Sequence, residues 1–324
     1  MPVLITGGSG FVGLNIAIAL LRKGESVVLY DIGGPPQAAE EHLRSVGPGL
    51  VIERGDVRDG PRLATTIRAH HIDRIVHGAA ITAGPQREIQ QARLITEVNL
   101  GGASEVLEAA LACGISRVVQ LGTGSVFGVT SLNVERIEEE LVPVPDSLYG
   151  ITKYAAERAA SRYRDKRGLD VVTARLGVVF GHWEYDTGVR DTLSLPLQFL
   201  KVAETGGTAR FRPGLPDDWI YAADVADAVV ALLYAPSLGH DVYQIGRGRR
   251  WSMIDWCDRL RGVFPRFGYA LVEGDGPVNV GAVSPTARPP FSAERLRRDT
   301  GFSARFDETS AFDDYIHPLH RKND

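Results

Sequence analysis

Cysteine is scarce in this chain of 324 residues, which has only Cys113 and Cys257, in helix-like segments far apart in the sequence. Two such residues predict neither a disulfide framework nor a metal site, and they favour a reducing, cytoplasmic compartment. Long apolar runs are also missing, since none approaches the ~20 residues that cross a bilayer. A core strand that begins at residue 2 or 3 leaves no room for a signal peptide. The sequence therefore predicts neither a membrane partner nor a metal.

An excess of charge of one sign is lacking as well. The 36 Lys and Arg residues nearly balance the 40 Asp and Glu residues, for a formal net charge of −4 at pH 7. This balance gives no electrostatic reason to expect nucleic acid as a partner. The 44% of hydrophobic residues is typical of a globular protein, and the length suits about two domains. We therefore expect a small-molecule partner, and we expect the charged runs Glu138-Glu139-Glu140 and Arg295, Arg297, Arg298 to be solvated surface.

Strand-like and helix-like stretches alternate through the first half of the chain. The predicted strands are Val3–Thr6, Ser26–Tyr30, Leu50–Glu53, Arg74–His77, Arg117–Leu121 and Asp170–Arg175. The predicted helices are Phe11–Arg22, Gln37–Val46, Gly60–Ala69, Ile89–Cys113 and Tyr149–Lys166. This alternation predicts βαβ units, and thus an α/β fold with a Rossmann-like, doubly wound parallel sheet that has helices on both faces.

Beyond Arg175 the alternation loosens. Residues 177–216 combine a polar, aromatic-bearing loop with a single apolar helix, whereas Asp224–Tyr234 and Val242–Ile245 have the pattern of a helix and a strand that return to the main sheet. We expect a smaller, interleaved lobe to cap the ends of the strands, where open α/β sheets bind ligands. The predicted larger, cofactor-binding domain comprises residues 1–175 with 216–246 returning, and the predicted substrate-binding lobe comprises residues 176–215 and 247–324.

A turn suited to phosphate lies at the start of the chain. The strand Val3–Thr6 runs directly into Gly7, Gly10 and Gly13, which open the first helix. Gly7 permits a tight turn, Gly10 lets the backbone approach a pyrophosphate, and Gly13 lets the helix pack closely on the sheet. The unpaired amide groups and the dipole of the helix start then face the anion. The spacing predicts a dinucleotide site.

The second strand is followed by an acidic residue, Asp31, at the distance from the glycine turn where a carboxylate binds the adenosine ribose hydroxyls. Neither Arg nor Lys follows directly, since the next residues are Ile32-Gly33-Gly34-Pro35-Pro36. A carboxylate at this place would repel a 2′-phosphate. These features favour NAD over NADP.

Tyr149 and Lys153 are four residues apart at the start of a predicted helix, so both project from one face. A charge about 4 Å from a phenol is worth ~4 kcal/mol at an effective dielectric constant near 20. We therefore expect Lys153 and an oxidised nicotinamide to lower the pKa of Tyr149 by about two or three units, into the range for acid–base work. Upstream, Thr123 and Ser125 place hydroxyl groups at the carboxyl end of a predicted strand, where a substrate oxygen can bind.

These ordered motifs resemble those of the extended short-chain dehydrogenase/reductases, the NAD-dependent epimerase/dehydratase family, from Met1 to about residue 246. The matching motifs are Gly7-x-x-Gly10-x-x-Gly13, Gly55-Asp56-Val57, His77-Gly78-Ala79-Ala80, Val98-Asn99-Leu100, Thr123 before Val126-Phe127-Gly128, Tyr149-x-x-x-Lys153, Arg175-Leu176-Gly177-Val178 and Tyr221-Ala222-Ala223-Asp224. The resemblance implies NAD as the cofactor, bound by Gly7, Ser9, Gly10, Phe11, Val12, Gly13, Asp31, Asp56, Val57, Gly78, Ala79, Ala80, Asn99, Leu121, Tyr149, Lys153, Leu176 and Val178.

The resemblance also implies that Thr123, Tyr149 and Lys153 are the catalytic residues. Tyr149 would exchange the proton of a substrate hydroxyl, Thr123 would hydrogen-bond the same oxygen, and Lys153 would tune Tyr149 and bind ribose. The nicotinamide would take the hydride of a secondary alcohol or hemiacetal carbon, which makes the protein an NAD-dependent oxidoreductase. Family members further imply a homodimer formed through the helices Ile89–Cys113 and Tyr149–Lys166.

Departures from the family pattern bear on the substrate. Sugar-nucleotide dehydratases of the family follow the catalytic Thr with Asp-Glu, whereas Gly124-Ser125 follows here, so dehydration is not expected. UDP-sugar epimerases typically carry Asn where Val178 stands and Arg where Asp217 stands. We therefore expect a free sugar, a sugar acid or a similar small hydroxy compound as the substrate. The candidate substrate contacts are Thr82, Arg87, Thr123, Ser125, His182 and Arg190.

Two other functions stay open at this point. A UDP-sugar epimerase would oxidise and re-reduce its substrate in place, and would hold its NAD tightly. A non-catalytic NAD-binding regulator would keep the fold, but its natural sign would be the loss of Tyr or Lys from the pair. Both Tyr149 and Lys153 are present.

Overall fold

A computed structural model of the protein describes residues 1–186, 188, 190, 191, 193–213, 218–281 and 289–320. Its strands are β1 Val3–Thr6, β2 Val27–Asp31, β3 Leu50–Arg54, β4 Arg74–His77, β5 Arg117–Thr123, β6 Val171–Leu176, β7 Val178–Phe180, β8 Thr208–Phe211, β9 Trp219–Tyr221, β10 Val242–Ile245 and β11 Gly268–Leu271. Its α-helices are α1 Phe11–Arg22, α2 Gln37–Val46, α3 Gly60–Ala69, α4 Pro85–Thr96, α5 Gly102–Cys113, α6 Leu148–Arg167, α7 Leu195–Glu204, α8 Ala222–Tyr234, α9 Met253–Val263, α10 Glu294–Thr300 and α11 Glu308–His320.

Seven parallel strands form the central sheet, in the order β10-β6-β5-β4-β1-β2-β3. Strand β1 lies between β2 and β4, so the chain winds outwards from it in both directions. Dinucleotides bind at such a switch point, outside the carboxyl ends of the strands. The predicted doubly wound α/β fold is confirmed, and β10 returns beside β6 as expected.

Both faces of this sheet are buried, because alternate residues of each strand enter different cores. In β1, Val3 and Ile5 join a core with α1 and α8, whereas Leu4 joins a core with α3, α5 and α6. A strand covered on both faces is apolar at nearly every position, which is why these strands read as continuous hydrophobic runs.

A separate aromatic core is built by the later segments of the chain. The Phe180 ring centroid lies 5.1 Å from that of Trp251 and 5.4 Å from that of Trp256. Trp219 is 1% exposed within the same cluster. Two small sheets, β7 with β9 and β8 with β11, border this core. Their strands of three or four residues are too short for a periodic signal, so they were not predicted.

The helix predicted over Ile89–Cys113 is interrupted. It comprises α4, a π-helical turn over Glu97–Gly101, and α5, and α4 begins earlier, with Pro85 in its first turn. Proline suits that position because the first amide of a helix has no intrahelical partner. Gly114 ends α5 in the left-handed conformation expected of a helix-ending glycine, with φ +68°, whereas Gly47 at the end of α2 is extended.

The prediction of a solvated surface is wrong for Glu139 and Arg295. The Glu139 side chain is 3% exposed and accepts a hydrogen bond from the backbone amide of Gln244 in β10. Arg295 donates to the Val242 carbonyl of the same strand, and its side chain is 13% exposed. Burial raises the pKa of Glu139. Strand β10, distant in sequence from Glu139, supplies the cover that local sequence could not indicate.

Among the described residues, no helix is both long and apolar enough to cross a membrane. In the same part of the chain, no group of three or more His, Cys, Asp or Glu side chains is placed to hold a metal ion. Cys113 and Cys257 are free thiols.

Candidate active site

The glycine turn after β1 is shaped by close backbone contacts. Gly7 has φ +68°, and a Cβ atom at this position would lie 2.7 Å from the amide nitrogen of Ala79. A Cβ atom at Gly13 would lie 2.5 Å from the Gly7 carbonyl oxygen. Helix α1 follows Gly10, which provides no side-chain cap, so the amides of its first turn are left to face a ligand. This geometry fits a pyrophosphate at the start of α1.

Asp31 stands beside this turn, at the end of β2. Its carboxylate accepts hydrogen bonds from the amides of Ser9, at 3.1 Å, and Ile32, at 2.8 Å. Burial raises the pKa of Asp31, while these amides oppose the shift. A carboxylate held in this way can accept the ribose hydroxyls of NAD. The β2–β3 register also brings Arg54 opposite Asp31, a cation that the residues following Asp31 in sequence could not reveal.

The candidate adenine-side residues follow β3. The Asp56 carboxylate forms an ion pair of 2.6 Å with Arg58, and hydrogen bonds from Arg58 hold the pKa of Asp56 below its usual range. Val57 is buried at the end of the same segment. Their contact with the adenine stays a prediction.

Asn99 lies in the π-helical turn and is fully buried. Its side-chain oxygen accepts a bond of 2.8 Å from the Ile81 amide, and its Nδ2 donates to the Ile81 carbonyl and to the Thr152 hydroxyl. Asn99 therefore ties the segment after β4 to helix α6, which carries the predicted catalytic pair. Its predicted contact with NAD is not tested by these bonds.

Tyr149 and Lys153 lie in the first turns of α6, whose start is capped by Ser147 accepting a bond from the Gly150 amide. Burial raises the pKa of Tyr149, while hydrogen bonds with the Thr82 and Thr123 side chains and the charge of Arg190 oppose the shift. In the protein alone, the pKa of Tyr149 is thus shifted opposite to the direction expected. The reason is that removing the phenol from water outweighs the nearby positive charge.

Lys153 is 3% exposed, and burial lowers its pKa to about 8. Below it, Arg175 and Glu157 form a bidentate ion pair with distances of 2.8 and 2.6 Å, and the Glu157 charge partly opposes the shift of Lys153. His77 is 1% exposed, and its Nδ1 lies at hydrogen-bond distance, 2.7 Å, from the Thr6 hydroxyl oxygen. Burial and the Lys153 charge lower the pKa of His77 to about 3, so this imidazole is neutral.

A pocket of about 100 Å³ opens beside Thr123. It is lined by Thr123, Gly124, Ser125, Leu176, Gly177, Val178, Asp218, Pro289 and Phe291. The Thr123 hydroxyl lies 3.3 Å from that of Ser125 and accepts a bond from its amide. A Cβ atom at Gly124 would lie 2.6 Å from the tip of the Phe291 ring. Phe291 therefore fills the space that a side chain after Thr123 would need.

The other candidate substrate residues do not line this pocket. Arg87 forms an ion pair of 2.7 Å with Asp191, and His182 Nε2 donates to the backbone carbonyl oxygen of Asp314 in α11 at 2.9 Å. Arg190 pairs with Glu184. Thr82 and Arg190 nevertheless act on Tyr149, since the Thr82 side chain and the Arg190 charge both oppose the rise in its pKa. Asp217, which replaces an expected arginine, lies outside the described residues.

Asp218 and Phe291 are among the pocket residues that the sequence did not indicate. The Asp218 carboxylate accepts bonds from the amides of Arg247, Gly248 and Phe291, and so fixes the loop after β10 against the segment that carries Phe291. No local pattern marks either residue, because both act through partners distant in sequence.

Comparisons with known proteins bear on the family and the fold of the chain. The model of the NAD dependent epimerase/dehydratase family matches residues 3–246. The chain is 30% identical over 189 residues to UDP-glucuronate 4-epimerase 6 of Arabidopsis thaliana, which covers 56% of this chain and 40% of that protein. It is 29% identical over 297 residues to UDP-glucose 4-epimerase of Rhizobium meliloti, with coverage of 84% and 86%. The chain thus spans less than half of the plant relative and most of the bacterial one.

The solved structure of Thermus thermophilus UDP-glucose 4-epimerase in complex with NAD superposes with a TM-score of 0.79, at 24% identity and 99% coverage of both chains. This likeness supports the fold. The family match confirms the predicted relationship, the dependence on NAD and the assignment as an enzyme. The chain belongs to the NAD-dependent epimerase/dehydratase family.

Proposed function

We propose that the protein moves a hydride between NAD and a secondary alcohol or hemiacetal carbon of a sugar, a sugar acid or a similar small hydroxy compound. One observation carries this proposal: the Tyr149 phenol hydrogen-bonds the Thr82 and Thr123 side chains, and Thr123 also lines the pocket. A substrate oxygen in this pocket would lie within reach of both an acid–base group and a second hydroxyl.

Bound NAD supplies the hydride acceptor and a positively charged ring. Thr123 would orient the substrate oxygen, and Tyr149 would exchange its proton. Because burial raises the pKa of Tyr149, its phenol is protonated at neutral pH in the protein alone. Tyr149 is therefore ready to donate a proton to a carbonyl oxygen, and it needs additional positive charge nearby to remove one. Lys153 on the same face of α6 would bind the ribose hydroxyls.

Phe291 supports a reaction without dehydration. Dehydratases of the family place an acid directly after the catalytic threonine, and the ring of Phe291 leaves no room for a side chain at Gly124.

A UDP-sugar epimerase is the second candidate, because both relatives named above are described as epimerases of UDP-sugars. The same Tyr149 would then remove and return one proton while NAD stays bound. A non-catalytic regulator is the least favoured, since Tyr149 and Lys153 share one helix face beside the pocket.

We further propose a homodimer, a cytoplasmic location and the two-part domain division predicted above. Ile89 on α4 is 79% exposed and Ile151 on α6 is 49% exposed, which supports a contact through these two helices. The separate aromatic core supports a distinct C-terminal lobe. Sedimentation of the purified protein would measure its assembly.

Replacement of Tyr149 by Phe tests the proposed function. Purified protein is assayed for NADH at 340 nm with aldoses, uronic acids and sugar alcohols, and for interconversion of UDP-sugars. Because proton transfer contributes about 10²- to 10⁴-fold, we expect turnover of Tyr149→Phe to fall by at least ~100-fold while its Kd for NAD is unchanged.

Tyr163→Phe is the matched control, since Tyr163 lies on the same helix but hydrogen-bonds Glu108 at the surface. Its turnover should equal that of the wild type. Undiminished turnover of Tyr149→Phe would remove Tyr149 from the mechanism. NADH production from added NAD would favour the dehydrogenase, and UDP-sugar interconversion without added NAD would favour the epimerase.

A further inference from the structure

We propose that the Arg190 guanidinium binds the pyrophosphate of NAD, together with the amides at the start of α1. Arg190, a candidate substrate contact from the sequence, would then bind the coenzyme instead. It rests on the NAD dependence that the proposed function uses.

Arg190 is located at the phosphate-binding turn. Its guanidinium carbon lies 5.4 Å from the centroid of the Phe11 ring, and Phe11 is the first residue of α1. A cation over the face of an aromatic ring is attracted by the ring, and this contact restricts the conformations of the arginine side chain. The contact therefore holds a positive charge near the first-turn amides, which already attract an anion.

The backbone of Arg190 is attached to the segment after β4, across the switch point from the turn after β1. It forms an isolated parallel bridge with Thr82, in the segment that follows β4. Arg190 thus connects the segment after β4 with the turn after β1. A dinucleotide that lies across the ends of these two strands would pass the guanidinium.

The preceding segment is also attached to the coenzyme turn. The Tyr185 hydroxyl donates to the Ser9 carbonyl at 2.6 Å, and the Asn15 side chain donates to the His182 carbonyl at 2.9 Å. These bonds join residues 182–185 to the turn and to α1, so Arg190 is carried by a segment anchored at the proposed phosphate site.

Glu184 orients the Arg190 side chain but uses only some of the N–H donors of its guanidinium. Arg190 Nη1 lies 3.0 Å from Glu184 Oε1, and the Glu184 carboxylate is fully buried, whereas the Arg190 side chain is 24% exposed. The amide and hydroxyl of Ser194 fix the same carboxylate at 2.7 and 2.5 Å. A guanidinium has five N–H donors in a rigid fork, so a single carboxylate contact leaves donors for a phosphate. The ligand can reach the arginine but not its partner.

Replacement of Arg190 by Gln tests this assignment by titration calorimetry with NAD, ADP-ribose and adenosine. A charge-assisted contact to phosphate is worth about 10- to 100-fold in affinity, so NAD and ADP-ribose should both bind Arg190→Gln that much more weakly. Adenosine lacks the pyrophosphate, and its affinity should stay within ~2-fold. The loss of one cation should also reduce the salt dependence of ADP-ribose binding.

Arg87→Gln is the matched control, because Arg87 pairs with Asp191, the neighbour of Arg190, and its loss disturbs the same segment. Its ADP-ribose affinity should stay within ~2-fold of the wild type. Unchanged ADP-ribose binding by Arg190→Gln, or an equal loss in Arg87→Gln, would overturn the assignment while the wild type still binds NAD. Wild-type protein that binds no NAD would overturn the proposed function as well.

Discussion

Two regions border the candidate site and are built from different interactions. The polar layer under α6 consists of His77, Gln120, Lys153, Glu157 and Arg175, each at most 3% exposed. The pocket wall consists of Gly124, Val178, Asp218 and Phe291, where an aromatic ring packs on a glycine and a carboxylate binds backbone amides. In the layer, the buried charges of Lys153, Glu157 and Arg175 stabilise one another. In the wall, steric fit and hydrogen bonds to the backbone determine where the residues lie.

This difference separates stability from specificity. A buried charge in the layer cannot regain water when its partner is lost, so changes there should act mainly on the free energy of unfolding and on protonation. A change in the wall alters the volume next to Thr123, so it should cost less stability than a change in the layer and should also act on what fits there. The predictions below test that separation, beginning with the largest effect.

The largest effect is expected in the layer, for Arg175→Met. This change leaves the Glu157 carboxylate, which is 1% exposed, without its bidentate partner. We expect a loss of about 3–5 kcal/mol in the free energy of unfolding, measured by urea denaturation. The double variant Arg175→Met with Glu157→Leu removes both charges, and should be more stable than Arg175→Met alone.

Arg44→Met is the control for an exposed pair, since Arg44 bonds Glu40 on the surface of α2. An exposed pair of this kind is worth about 0.3–0.5 kcal/mol. A double layer variant as unstable as Arg175→Met, or a loss no larger than that of Arg44→Met, would contradict the account of the layer.

The fold could be predicted, and Tyr149 and Lys153 could be proposed as a catalytic pair, because these signals are local. Gly7, Gly10 and Gly13 follow an apolar strand directly, and Tyr149 and Lys153 are one helical turn apart. Each motif carries its physical reason within a few residues, so the order of the motifs along the chain identifies the fold and the family.

The pocket wall and the direction of the Tyr149 shift could not be predicted, because both depend on packing. Phe291 meets Gly124 across 167 positions of sequence, and Arg190 meets Phe11 across 179. The spacing along a helix places Lys153 and Tyr149 on one face, but it does not show how deeply the two side chains are buried. Desolvation is the largest cause of both pKa shifts, raising the pKa of Tyr149 and lowering that of Lys153.

The next effect concerns the pH dependence of stability. The pKa of Lys153 is lowered to about 8 in the fold, from its ordinary value of 10.5. Between these two values the unfolded chain binds a proton that the folded chain does not, so Lys153 makes stability rise as pH increases from about 8 to 10.5. Relative to Lys153→Met, the wild type should gain up to about 3 kcal/mol over this window.

Urea denaturation of the wild type and of Lys153→Met at several pH values measures this gain. The contributions of other groups that titrate at alkaline pH cancel in the difference between the two proteins. Lys166→Met, on an exposed position of the same helix, is the control and should show no such trend against the wild type. A constant difference between the wild type and Lys153→Met from pH 8 to 10.5 would show that Lys153 is not desolvated as described.

The smallest effect is expected in the wall, for Gly124→Ala. The added methyl group would lie 2.6 Å from the Phe291 ring, which is held by its T-shaped contact with Phe127 and by the bond of its amide to Asp218. Overpacking of this kind lowers the free energy of unfolding, measured by urea denaturation, by about 1–3 kcal/mol. Gly101→Ala is the matched control, because nothing lies within 4 Å of its added methyl group; it should be neutral or stabilising by up to about 1 kcal/mol.

The ring is the proposed cause of this cost, so shortening it should remove the cost. In a Phe291→Leu background, Gly124→Ala should cost less than in the wild type, and the coupling in the double-mutant cycle measures their contact. If the cost is the same in both backgrounds, the backbone of the 124–126 turn, rather than Phe291, requires glycine. The wall would then impose no steric limit on an acid after Thr123, and the structural argument against dehydration would be lost.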